Sequence, residues 1–260
     1  MKIDFCEEKE KLLLDGFIII ENLVSKEHVD FLHEKMLGES WEMMKEKKWG
    51  GVRSCHGHIQ QNPPRYAPYV FRDIVSNPVV INISKLILGE NFYNDFYSAN
   101  TNCPESIMQP LHSDCMPLWP GNVIQHPPVS LVINIPLVDT DEINGSMEIW
   151  PGSHLVLGAQ KYVDEKIFME RKKTAPPMRA NMKKGSILIR DTRLWHRGMP
   201  NTSTTPRPML AMMHHIHWLK RGKKLAFAAG CESDILDNQI DHHIYFTHEP
   251  IDHSIDPTQN

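Results

Sequence analysis

No stretch of the 260-residue chain stays apolar for long. The best, Leu12 to Ile20, is interrupted by Asp15 and is far too short to span a bilayer. The opening Met-Lys-Ile-Asp-Phe-Cys-Glu-Glu lacks the apolar core of a secretory signal. Cysteine is sparse: Cys6, Cys55, Cys103, Cys115 and Cys231 are odd in number, widely spaced and include no C-x-x-C pair. That argues against a disulfide framework and a thiolate zinc site, and with 14 Met it points to a reducing, cytoplasmic setting. Neither sign of charge dominates. The 28 Lys+Arg and 32 Asp+Glu leave a formal net charge of -4, which argues against nucleic acid or a membrane surface as partner. Internal repeats and low-complexity tracts are absent, and 41% hydrophobic and 23% charged residues are ordinary for a soluble globular protein. What the chain has in excess is histidine, 15 residues against six Tyr and nine Phe.

The patterning predicts one domain over residues 1–260. Residues 1–90 read as a helical lead-in. Glu7 to Leu14 is a short helix stopped by Asp15-Gly16, followed by a strand-like Phe-Ile-Ile-Ile. Ser25 caps a longer helix toward Glu46, and Asn77-Pro78 opens another that Gly89 stops. Between them, residues 49–69 are rich in Gly, Pro, His and Arg and read as a long ordered loop. From residue 91 to 218 short β runs alternate with Pro, Gly and Asn, the pattern of a sandwich or barrel. The expected strands are 92–102, 107–116, 129–137, 146–150, 186–191 and 207–218, with 155–184 as a polar insertion. Residues 219–260 read as an irregular or weakly helical tail, and the sequence carries no signal for an oligomeric state.

Two widely separated segments carry metal-binding chemistry. In Gln109-Pro-Leu-His112-Ser-Asp114, residues two apart share a strand face, so His112 and Asp114 offer an imidazole and a carboxylate together. Trp195-His196-Arg-Gly198 supplies a second imidazole. Two His and one carboxylate fill one face of an octahedron and leave three positions open, the arrangement of non-haem Fe(II) oxygenases. Arg207 follows eleven residues after His196, and a guanidinium there suits bidentate binding of a carboxylate. A zinc hydrolase using the same three ligands is an alternative reading, although it leaves Arg207 unexplained. A jelly-roll binding protein without turnover is another.

Taken in order, these segments resemble the phytanoyl-CoA dioxygenase family of Fe(II)/2-oxoglutarate oxygenases. The resemblance rests on Gln109–Asp114, on the run Asn144-Gly-Ser-Met-Glu-Ile-Trp-Pro-Gly-Ser-His154, on Gly185–Gly198 and on Arg207. Asp15-Gly16 and the strand after it are similar to the family's lead-in, so the likeness covers residues 8 to 218. It implies a mainly β double-stranded β-helix core (jelly-roll, cupin-like) wrapped by N-terminal helices. It further implies Fe(II) on His112, Asp114 and His196, with 2-oxoglutarate and O2 as cosubstrates and Arg207 on the distal carboxylate. Asn134 would sit in the cosubstrate pocket. The implied reaction hydroxylates a C–H bond of a small organic molecule and releases succinate and CO2. Halogenating relatives replace the carboxylate ligand with a small residue, so Asp114 implies a hydroxylase rather than a halogenase. Gly198 and Met209 stand where some relatives carry hydroxyl partners for the cosubstrate, which leaves a second hydrogen bond to the distal carboxylate unassigned.

The remaining histidines and tryptophans are weighed singly. His154 reads as structural, packing a turn. On an alternating strand Arg207, Met209, Ala211, Met213, His215 and His217 share the inner face, so His215 and His217 are candidates for the substrate pocket or for the core. His56 and His58 sit on the loop expected to cover the barrel mouth and are substrate-contact candidates, as are Trp119 and Trp150. His242, His243 and His248 read as surface residues, and strand parity turns Cys115 away from the metal. Segments 49–69, 116–128 and 155–184 are the candidates for substrate specificity.

Overall fold

The computed structural model describes residues 3–119, 125–157 and 161–253. Helix α1 (Phe5–Asp15) begins on Asp4, whose carboxylate accepts the N–H groups of Cys6 and Glu7. It ends on Gly16 in the left-handed region, and strand β1 (Phe17–Ile20) follows. Helix α2 (Lys26–Lys45) starts after Ser25, but the serine hydroxyl caps nothing; the Ser25 N–H donates to Asp73 instead. Strand β2 (His58–Gln61) lies within the segment expected to be a loop. Its polar His-Ile-Gln-Gln hides the pattern because its partners are polar too: Gln60 donates to Ser98, and Gln61 accepts from Thr101. After α3 (Arg72–Val75), helix α4 (Pro78–Leu88) opens on Asn77, whose side chain accepts from Val79 and Val80.

Strands β3 (Tyr93–Asn102) and β4 (Ser130–Pro136) come next, followed by β5 (Glu148–Ile149), α5 (Glu165–Lys172) and β6 (Met178–Arg179). Strands β7 (Ile187–Asp191), β8 (His196–Arg197) and β9 (Arg207–His215) complete the barrel. Beyond them lie β10 (Leu225–Ala228), α6 (Glu232–Ile235), β11 (Asp241–His242) and β12 (Ile244–Thr247). The large sheet runs β1-β7-β4-β9-β3-β11, with β2 also on β3, and the small sheet runs β6-β5-β8.

Alternation along the large sheet separates its two faces. Leu131, Ile133 and Ile135 of β4, Ile187 and Ile189 of β7, and Leu210 and Met212 of β9 pack into the main core beneath α2 and α4. Each fully buried side chain of this size contributes about 1.5–3 kcal/mol, so this helix-covered face holds the fold. The residues between them, among them Val132, Asn134, Arg190, Met209 and Ala211, line a cavity on the opposite face. The jelly-roll expectation is met.

Two expectations fail. The last part of the chain is no irregular tail: β10 and β12 pair in parallel, β11 joins β3, and Leu225, Phe227 and Ile235 enter the main core. His242 is buried with them, its Nε2 on the Ser76 hydroxyl and its Nδ1 on the Asn94 amide. Second, residues 107–116 form no strand. Only His112 makes bridge pairs, and the backbone then bends away.

Candidate metal centre

His112 and His196 pair through an isolated antiparallel β-bridge. Each donates its backbone N–H to the other's carbonyl, at 3.1 and 2.9 Å, and their ring centroids stand 4.3 Å apart. In each ring Nδ1–H donates to the carbonyl two residues back, Pro110 for His112 and Leu194 for His196, both at 2.9 Å. That sets the tautomer and leaves both Nε2 atoms as lone-pair donors. Burial keeps both imidazoles neutral by holding their pKa down, most strongly at His196, where Arg190 adds to the effect. The chain reaches His196 through a tight turn: Asp191 and Arg193 form a buried ion pair at 2.6 Å, and Trp195 N–H donates to the Ser153 hydroxyl.

Asp114 arrives by a different route from the one strand parity suggests. With no strand at 113–115, its N–H is anchored on the Thr192 carbonyl at 2.9 Å, in the turn after β7. Arg190 of β7 donates Nη1 to Asp114 Oδ2 at 2.6 Å, and Oδ1 lies 3.6 Å from His196 Nε2. Burial raises the Asp114 carboxyl, but Arg190 and the two imidazoles outweigh it and hold the group well below the usual carboxylate range. Ligand atoms of His112, Asp114 and His196 lie within 4.8 Å of one another, the one such group of three among the described residues. Two nitrogen lone pairs and a carboxylate oxygen thus face one point with no hydrogen between them. Such a set repels itself unless a cation occupies that point, and it suits a borderline divalent metal.

Arg207 lines the same cavity, whose volume is about 500 Å³. It is buried and donates only to the carbonyls of Asn144, at 3.3 Å, and Gly145, at 2.9 Å; no described carboxylate pairs with it. Burial pulls its pKa down to about 10, with Arg179 contributing. A buried guanidinium held by carbonyls alone is a receptor for an anion. Asn134 also lines the cavity, but its amide is engaged: Oδ1 accepts from Arg190 Nε at 3.1 Å and Nδ2 donates to the Leu210 carbonyl. Gly198 donates its N–H to Gln109 Oε1, and a Cβ there would stand 2.7 Å from His58 Cε1. Its missing side chain lets His58 and Gln109 close on the centre.

The other candidates divide. His58 lines the cavity, its Nε2–H donating to the Ile107 carbonyl at 2.8 Å. His56 is exposed and packs edge-on against Trp49, outside the lining. Trp119 is exposed against His126, and Trp150 is buried in a side core with Leu111 and Trp195; neither lines the cavity. Trp150 sits inside because its indole N–H finds Glu148 there. His215 closes the far end of β9, bonded to Ser130 at 2.7 Å and Asp95 at 3.1 Å, and His217 lies beyond the strand, exposed. Cys115 does line the cavity, since parity fails where the strand is missing; burial pushes its thiol up, so it stays protonated. His154 is structural, bonded to the Leu13 carbonyl beside Gly16. Sequence reasoning missed Arg190, Lys161 and Tyr162. The signal for Arg190 is a charge closing the apolar run Ile187–Ile189, beside Asp191 in the same strand. Lys161 and Tyr162 lie in the polar stretch 155–184, whose pattern carries no such signal. Segment 116–128 is described apart from 120–124, and 155–184 apart from 158–160.

The family model for phytanoyl-CoA dioxygenase (PhyH) matches residues 12–209. Among solved structures, AviO1 from Streptomyces viridochromogenes Tue57 is similar with a TM-score of 0.63 and 18% identity, over 85% of this chain and 99% of that one. SnoK, a non-haem alpha-ketoglutarate-dependent carbocyclase from nogalamycin biosynthesis, is similar with a TM-score of 0.60 and 20% identity, over 80% and 83%. At these identities the likeness is one of fold, the cupin-like fold already described. Among the described residues no helix is long and apolar enough to cross a membrane. The family's Fe(II), 2-oxoglutarate and O2 match a donor set of two imidazoles and one carboxylate. A family match across most of the chain makes this protein a member of the phytanoyl-CoA dioxygenase family of non-haem, 2-oxoglutarate-dependent oxygenases.

Proposed function

We propose that this oxygenase is one domain that hydroxylates a C–H bond of a small organic metabolite, with release of succinate and CO2. The observation that carries the reading is the pairing, in one cavity, of a hydrogen-free donor triad with a buried Arg207 that lacks a carboxylate partner. His112, Asp114 and His196 would hold Fe(II) through Nε2, Oδ1 and Nε2. Arg207 would bind the distal carboxylate of 2-oxoglutarate. Bound iron and 2-oxoglutarate would supply the oxidising power drawn from O2.

The chain's own part is orientation and electrostatics. The Pro110 and Leu194 carbonyls keep the two imidazoles in the ligating tautomer. Arg190 keeps Asp114 ionised and turns one oxygen inward, while Asn134 holds Arg190 in place. Gln109, its Oε1 fixed by Gly198, leaves its amide N–H groups for the cosubstrate, filling the role of the missing hydroxyl partners. Five free thiols support the cytoplasmic setting.

Anaerobic addition of Fe(II) and 2-oxoglutarate tests the reading. A visible charge-transfer band is expected, abolished in His112→Ala and weakened in Arg207→Ala. Turnover on Zn(II) alone without 2-oxoglutarate would overturn it. SnoK's description as a carbocyclase makes ring closure the second outcome to check. Hydroxylation adds one oxygen to the product, whereas oxidative ring closure removes two hydrogens.

A further inference from the structure

The cavity carries a charge surplus that metal and cosubstrate do not use. Its lining holds four permanent cations, Arg53, Lys161, Arg190 and Arg207, against one carboxylate, Asp114. A divalent metal and a doubly charged 2-oxoglutarate cancel each other, so the loaded cavity keeps the whole surplus of its lining. Arg190 is taken by Asp114 and Arg207 awaits the cosubstrate. Arg53 and Lys161 form no ion pair with any described carboxylate.

Arg53 is placed at structural cost. Its backbone lies at φ 52°, ψ 25°, and Ser54 follows at φ 47°, both in the left-handed region that residues with a Cβ avoid. This conformation sets its guanidinium 4.0 Å above the Tyr162 ring. Tyr162 in turn is bridged to His112, and the Lys161 carbonyl accepts the Ser113 N–H at 2.9 Å. Both cations are therefore indexed to the backbone of residues 112–113, in the segment that carries His112 and Asp114, while their own side chains are exposed at the mouth. Val52, Phe96, Val132 and Met213 supply apolar lining on the way in.

We propose that Arg53 and Lys161 anchor an anionic group, carboxylate or phosphate, of the molecule to be oxidised, with its apolar body directed along the cavity toward the metal. The inference rests on the oxygenase reading, and it makes the substrate class organic acids or phosphate esters.

The test is equilibrium binding to the protein loaded anaerobically with Fe(II) and 2-oxoglutarate, read by thermal shift. Probes are matched sets on several skeletons, for example 4-phenylbutyrate, its methyl ester, its amide and 3-phenylpropyl phosphate. At least one skeleton is expected to bind as the anion and not as the ester or amide; the acid and phosphate arms separate the two kinds of anion. R53Q/K161Q is expected to weaken that binding at least about tenfold, while R53K/K161R keeps it, and both variants keep the charge-transfer band. Esters or amides binding as tightly as acids, full anion affinity in R53Q/K161Q, or no anion binding in any set would each overturn the proposal. Failure of the oxygenase reading shows separately, as a missing band in the unmutated protein whatever the anions do.

Discussion

The guanidinium of Arg190 and the carboxylate of Asp114 meet at 2.6 Å, Nη1 to Oδ2, across the join between β7 and the segment that carries the first imidazole. One oxygen of Asp114 is thereby committed and the other left toward the triad. Replacing Arg190 with Met frees the carboxylate to rotate and removes the charge that keeps it ionised. Fe(II) affinity is expected to fall by about 10–100-fold, and the acid limit of metal binding to move to higher pH. Anaerobic Fe(II) titrations at several pH values measure both.

Arg207 separates binding from stability. In the absence of cosubstrate it is a buried, unpaired charge, so Arg207→Met is expected to melt no lower than the unmutated protein. At a hundred times the unmutated protein's Kd, 2-oxoglutarate is then expected to stabilise that protein by about 2.7 kcal/mol and the variant by much less. Thermal melts with and without 2-oxoglutarate under anaerobic Fe(II) decide it. A large loss of stability without ligand would mean that the guanidinium serves the fold.

Gly145 holds the carbonyl that Arg207 Nη2 uses, at φ 74°. A Cβ there would collide with Asn102 Nδ2 and Met199 O. Gly145→Ala is therefore expected to cost about 1–2 kcal/mol in backbone strain alone, lowering Tm by roughly 2–4 °C, and to raise KM for 2-oxoglutarate. Calorimetry and a succinate-release assay measure the two effects.

Acid should unfold this protein through its interior histidines. In the unfolded chain an imidazole takes up a proton near pH 6.5, whereas burial delays this at His242 until about pH 4 and holds His214 well below its ordinary value too. Above pH 6.5 both states are neutral and these residues add no slope. As pH falls toward 4 the unfolded state is favoured, by on the order of 3 kcal/mol from His242. Urea titrations at pH 7.5, 5.5 and 4.5 are expected to show the loss, and His242→Gln to flatten it.

Residues whose role depends on spacing along the chain were legible in the sequence. His112, Asp114, His196 and Arg207 fall in one cavity, and helices stopped by Asp15-Gly16 and Gly89 stop there. Residues whose role depends on what lies opposite were not. Trp150 and His215 carry the right chemistry for a pocket, but Glu148, Ser130 and Asp95 hold them elsewhere. Cys115 was misplaced because parity presumes a strand, and the chain at 113–115 follows Thr192 instead. The C-terminal strands are short, and their apolar residues are spaced like those of a loop until β3 and the main core are there to receive them.

The two imidazoles are aimed by nothing that a mutation can take away. Pro110 and Leu194 contribute only main-chain oxygens, and every amino acid possesses one. A side chain recruited to orient a ligand must be inherited together with it; a carbonyl two residues upstream comes with the polypeptide itself. The surrounding walls can therefore diverge, acquiring new mouths and new guests, while each nitrogen keeps its proton on the outer side. An architecture of this kind separates the freedom to change what is oxidised from the ability to oxidise at all.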